Sequence, residues 1–161
     1  MQNIYPCLWF DNQAEEAAKF YTSIFPNSKI TNITYYTEAG PAPAGTVLTV
    51  NFTLNGQDCL ALNGGPTYAF TPAISMVVNC KTQEEVDKYW DKLTEEGTEV
   101  QCGWVTDKYG LSWQIFPEIM GEMLQDKDKK KVQRVMEAMM KMVKLDIAAL
   151  KEAFENEKAP V

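Results

Sequence analysis

Apolar and polar residues along this chain switch between two periods, and the order of switching repeats. Residues 4–10 (IYPCLWF) read as a strand, with Pro6 marking a strand start or a sheet edge. Residues 14–25 (AEEAAKFYTSIF) read as a helix. Ala17, Phe20, Tyr21 and Ile24 fall on one face, with Glu15, Glu16 and Lys19 opposite, and Pro26-Asn27 end it. Strands are predicted at 29–36 and 46–54, separated by the Pro- and Gly-rich loop 38–45 (EAGPAPAG). Asn55-Gly56 is a hairpin signal, and 57–63 is the returning strand. Gly64, Gly65 and Pro66 then open a loop carrying Tyr68 and Phe70.

The second half follows the same order. A strand is predicted at 72–79. Thr82 and Glu85 form a capping-box pattern for a helix through Val86, Tyr89, Trp90 and Leu93 that ends near Gly97. Strands are predicted at 98–102, 104–106 and 111–116, with Asp107 to Gly110 as the turn before the last. Strand, helix and three strands, repeated after roughly 70 residues, predict an internal duplication rather than a solenoid. The fold class is α+β: two βαβββ modules in a curved mixed sheet with a C-terminal helical extension. The modules cover about 1–66 and 67–120 within one domain of residues 1–120.

Residues 121–161 form an amphipathic helical tail. Val132, Met136, Met139, Val143, Ile147, Leu150 and Phe154 step by three or four within the helical stretch 128–155. Asp146 is a candidate cap for a second helix from Ile147. Four Met between 136 and 142 give an adaptable apolar face for the sheet or a partner subunit.

Composition narrows the chemistry. The 161 residues include no His, which removes His acid–base catalysis, the Ser-His-Asp triad and every His-containing metal site. The formal net charge of −7 argues against nucleic acid or an anionic membrane as the main partner. The start of the chain lacks a secretory pattern, and no stretch approaches the ~20 apolar residues of a membrane span. Cys7, Cys59, Cys80 and Cys102 are widely spaced without a CxxC, so they are expected as free thiols in a reducing, cytoplasmic compartment.

Two βαβββ modules, with FDNQAEEAAKFYTSIFPNSKI in the first and GWVTDKYGLSWQIFP closing the second, resemble the vicinal oxygen chelate superfamily. That group includes glyoxalase I, extradiol dioxygenases and bleomycin-resistance proteins. Within it the chain is most similar to the PhnB-like branch, often labelled with a 3-demethylubiquinone-9 3-methyltransferase domain, and the tail VQRVMEAMMKMVKLDIAALKEAF resembles that branch too. The resemblance implies a concave sheet around a small-molecule pocket. Carried over one position at a time, the family's metal ligands fall at Pro6, near Leu60, near Ser75 and at Gln114. Pro and Leu side chains bind no metal, and neutral Ser and Gln are weak ligands, so no metal and no other cofactor is expected. The methyltransferase label finds no Gly-rich loop after the first strand, where Asp11, Asn12 and Gln13 stand.

On this register the inward face of the first module carries Leu8, Phe10, Leu60 and Leu62. That of the second carries Ser75, Val77, Ser112, Gln114 and Phe116. Such a wall, apolar with a few hydrogen-bonding groups, either lines a ligand pocket or packs a closed core. Trp9, Trp113 and Ile115 point the other way, under the helices, and Asp107 reads as a turn residue rather than a base. The expected function is that of a non-metal small-molecule-binding protein with an apolar pocket, taking a small apolar or aromatic molecule rather than nucleic acid or membrane, and working as a homodimer. The alternative is a metal-assisted or metal-free enzyme of the same superfamily, or a dimer module acting through its Met-rich tail.

Overall fold

The computed structural model describes residues 2–156. The chain divides into two compact units, the first ending at Phe70 and the second beginning at Thr71. Each contains a βαβββ module, and the architecture is α+β with a helical C-terminal region.

In the first unit, β1 (Cys7–Phe10) leads into α1 (Ala14–Ile24), followed by β2 (Lys29–Tyr35), β3 (Val47–Leu54) and β4 (Gln57–Asn63). The sheet order is β1-β4-β3-β2. β1 runs parallel to β4, and the other neighbours are antiparallel. The hairpin between β3 and β4 turns on positive φ at both Asn55 (47°) and Gly56 (84°), which a two-residue type I′ loop requires. α1 buries Ala14, Ala17, Ala18, Tyr21 and Ile24, while Phe20 stays half-buried. Tyr21 stacks on Phe52 of β3 with ring centroids 6.4 Å apart. β1 starts later than its apolar run, because residues 4–6 lie outside the ladder and Pro6 supplies only a carbonyl to the Leu60 N–H.

In the second unit, β5 (Ser75–Cys80) and α2 (Gln83–Thr94) precede β6 (Thr98–Glu99), β7 (Trp104–Thr106) and β8 (Ser112–Pro117). The order is β5-β8-β7-β6, again with one parallel pair, β5–β8. Thr82 caps α2 by accepting from Glu85 N–H, and the Glu85 carboxylate accepts from Lys81 N–H. α2 buries Val86, Tyr89, Trp90 and Leu93. β8 and β7 bury Trp113, Ile115 and Val105. β6 is shorter than the run 98–102, since the backbone turns at Cys102 (φ 61°) and Gly103 (φ 80°). A Cβ at Gly103 would stand 3.0 Å from the Ile115 carbonyl, so only glycine fits that crossing.

The tail folds onto this second unit as three helices: α3 (Glu118–Leu124), α4 (Lys129–Met139) and α5 (Ile147–Glu155). Met120, Met123, Val135, Leu145 and Leu150 form its core, with Phe116 packed against them. Asp146 caps α5 through Ala149 N–H. The helical stretch expected over 128–155 breaks earlier than at Asp146, since α4 ends at Met139. Val135 takes the buried position, whereas Met136 and Val143 are exposed. The Gln83 side chain bonds to both Leu145 O and Ile147 N–H, tying the tail to the start of α2. No helix among the described residues is long and apolar enough to cross a membrane.

Candidate functional site

The parallel pairing of β1 with β4 sets which side chains share a face. Cys7 lies opposite Leu60, Leu8 opposite Ala61, Trp9 opposite Leu62 and Phe10 opposite Asn63. Leu8 and Phe10 therefore share a face with Cys59, Ala61 and Asn63, all buried on the side that α1 covers. The expectation that Leu8 and Phe10 stand beside Leu60 and Leu62 is corrected: a one-residue offset sends them to the opposite face. Trp9, expected under the helix, stands on the open face with Leu60 and Leu62. Its indole N–H donates to the Gly65 carbonyl at 2.8 Å, and Tyr68 meets it edge-on with centroids 5.1 Å apart. Gly64 lies under the indole, and a Cβ there would be 2.2 Å from the ring. Phe10 meets Phe70 edge-on at 5.2 Å.

Past the ends of β1 and β4 lies an open groove of about 740 Å³. Asp11, Asn12 and Glu15 line it from the start of α1, Tyr35, Tyr36 and Val47 from the ends of β2 and β3, and Asn63 to Gly65 from the end of β4. Pro41, Ala42 and Pro43 add a wall from the loop between β2 and β3. Asn63 organises these elements. Its Oδ1 accepts from Ala14 N–H at 2.8 Å, its Nδ2 donates to Val47 O at 3.0 Å, and its backbone carbonyl accepts from the Tyr36 hydroxyl at 2.6 Å. The loop is pinned by Tyr36 N–H to Thr46 O and Gly45 N–H to Tyr36 O. Asn63, buried and fully engaged, is the site residue that sequence reading missed. Asn63-Gly64-Gly65 showed as a turn signal, but its partners lie as far as 49 positions away.

In the second unit the register agrees with the expected faces. Ser75 pairs with Ser112 and Val77 with Gln114, and Trp104 is opposite Gln114 on the antiparallel side. Gln114 donates its amide to the Ser75 hydroxyl at 2.9 Å. Val77 is 56% exposed, and Ser112 is buried. Phe116 belongs with the tail core instead. Asp107 is 3% exposed and anchors the last turn: Oδ1 accepts from Tyr109 and Leu111 N–H, and Oδ2 accepts from the Trp113 indole at 2.8 Å. A carboxylate so enclosed is structural rather than a base facing substrate.

The family's metal positions do not fit a metal here. Leu60 offers only carbon, Gln114 and Ser75 are bonded to each other, and Cys7, not Pro6, shares the face of Leu60. Among the described residues no group of three or more His, Cys, Asp or Glu is placed to hold an ion. All four cysteines are free. Burial pushes the Cys59 thiol up to about 11, helped by Asp58, and the Cys80 thiol up to about 12, helped by Glu85 and Glu118. Neither is a nucleophile at neutral pH.

The sequence matches the family described as 3-demethylubiquinone-9 3-methyltransferase over residues 2–116. The chain belongs to this family. The PhnB protein from Bacillus cereus is 41% identical, with a TM-score of 0.66 over 72% of this chain and 99% of that one. Protein PA1353 from Pseudomonas aeruginosa, 18% identical, superposes with a TM-score of 0.60 over 73% of this chain and 98% of its own. The fosfomycin resistance protein FosX from Listeria monocytogenes, solved with Mn(II) and sulfate, is 14% identical with a TM-score of 0.53, covering 78% of this chain and 98% of that one. The last two likenesses show the fold alone. No curated protein matches the sequence. The family match stops one residue before β8 ends, so the three tail helices of this PhnB-like protein lie outside it.

Proposed function

We propose that this PhnB-like protein binds a small, largely apolar organic molecule without a metal, in the groove of its first unit. The groove itself carries the reading. Its volume of about 740 Å³ falls in the range of small-molecule sites, and its walls combine aromatic and proline surface with a few polar groups. Asn63 braces three of its sides, so the site is largely formed before a ligand arrives. The free thiols support a reducing, cytoplasmic setting. Exposed Met136, Met140 and Val143 on the tail support a homodimer.

Native mass spectrometry on protein purified without chelators or tags tests this. The expected spectrum shows a dimer with extra organic mass and no transition metal. Ala42→Trp, which fills the groove from the loop, is expected to abolish the extra mass. Retention of that mass by the variant, or one transition metal per subunit, would overturn the proposal.

A further inference from the structure

From the hydrogen-bonding capacity left open in the groove, we infer that its ligand is an organic cation: an amine with an apolar or aromatic body. This rests on the groove being the binding site. The lining holds two carboxylates, Asp11 and Glu15, and neither Lys nor Arg. Its donors are largely committed within the protein. Ala14 N–H is used by Asn63, Gly64 N–H by Phe10 O, and Gly65 N–H by Asp11 O. The Tyr36 hydroxyl is used by Asn63 O, and both Thr46 donors are used by Pro43 O. Pro41 and Pro43 have no N–H to give.

An anion entering the groove would have to be matched by donors, and the side-chain donors left are the neutral Asn12 amide and Tyr35 hydroxyl, with the Ala42 backbone N–H on the loop wall, none of them charged. The first turn of α1 presents N–H groups as well, but Glu15 and Glu16 sit in that turn and offset its positive dipole end. Acceptors are the surplus. Asp11 makes no ion pair among the described residues, whereas Glu15 shares its charge with Lys19 at 2.7 Å. Beside them Tyr35 is 54% exposed, leaving an aromatic face available to a cation, and Pro41, Pro43 and Val47 supply apolar contact. An ammonium bearing N–H donors and a hydrophobic body satisfies both halves of this lining.

Three probes of similar size separate the possibilities: 2-phenylethylammonium, 2-phenylethanol and phenylacetate, each titrated by NMR at low salt while the amides of 35–36, 45–47 and 63–65 are followed. The ammonium is expected to bind at least about fivefold more tightly than the alcohol and phenylacetate more weakly than either, the order that charge pairing dictates. Asp11→Asn is expected to reduce that preference about threefold, and added salt to reduce it in the unaltered protein. Equal affinity for ammonium and alcohol, both mapping to the groove, would overturn the cation assignment while leaving the groove as the site. If all three probes leave the groove unperturbed and the purified protein retains no organic mass, the binding reading itself falls.

Discussion

Asp107 offers the sharpest test of how the last turn is held. Replacing it with Ala removes the acceptor for three donors: Tyr109 N–H at 2.9 Å, Leu111 N–H at 3.1 Å and the Trp113 indole at 2.8 Å. Leu111 and Trp113 are 1% and 2% exposed, so water cannot replace the lost acceptor for either. Each buried donor left unsatisfied costs about 1–3 kcal/mol, and the half-buried Tyr109 amide costs less. The expected loss for Asp107→Ala is therefore roughly 4 kcal/mol, a large share of the ~5–15 kcal/mol that holds a domain together. Asp107→Asn keeps one oxygen for the two backbone donors but turns an N–H₂ group toward the indole N–H, so about 2 kcal/mol is expected. Urea titrations followed by Trp fluorescence and far-UV circular dichroism measure both variants. Coincidence of the two probes is required before a single free energy is assigned. A loss under 1 kcal/mol for Asp107→Ala would refute the reasoning, because it would mean that the turn forms without the carboxylate. Equal losses for Ala and Asn would show that charge, rather than acceptor geometry, is what matters.

The Gln114 amide makes one half-buried hydrogen bond to Ser75, so Gln114→Ala is expected to cost about 1 kcal/mol and to leave ligand binding in the groove unchanged; a fall in affinity would return the open face of the second sheet to the site. The buried thiols predict an alkaline limit. Native Cys59 and Cys80 hold their protons more tightly than an unfolded thiol, so their stabilisation is complete below about pH 8.5 and is lost as pH rises toward 11–12, at up to about 1.4 kcal/mol per thiol per pH unit. Cys80→Ala should flatten the alkaline limb of the stability curve, and an unchanged slope would count against the assignment.

Much of the fold was legible in the sequence because its signals are local. Alternation placed β4 at the bounds observed, Asn55-Gly56 marked its hairpin, Thr82 and Asp146 marked helix starts, and Leu111, Trp113 and Ile115 separated from Ser112 and Gln114 by strand period alone. The absence of His constrained the chemistry without reference to any fold. The short helix α3 escaped notice because it begins directly after Pro117, with no gap between strand and helix. What the tertiary structure decided was register and convergence. Pairing β1 with β4 joins strands about fifty positions apart, and an offset of one residue exchanges Leu8 and Phe10 for Trp9 on the open face. The Pro-rich loop was visible as a loop, but only the folded chain brings it against Asn63, Asp11 and Glu15 to wall a groove. Local preferences specify elements, whereas a binding site depends on which distant side chains burial and backbone pairing bring together.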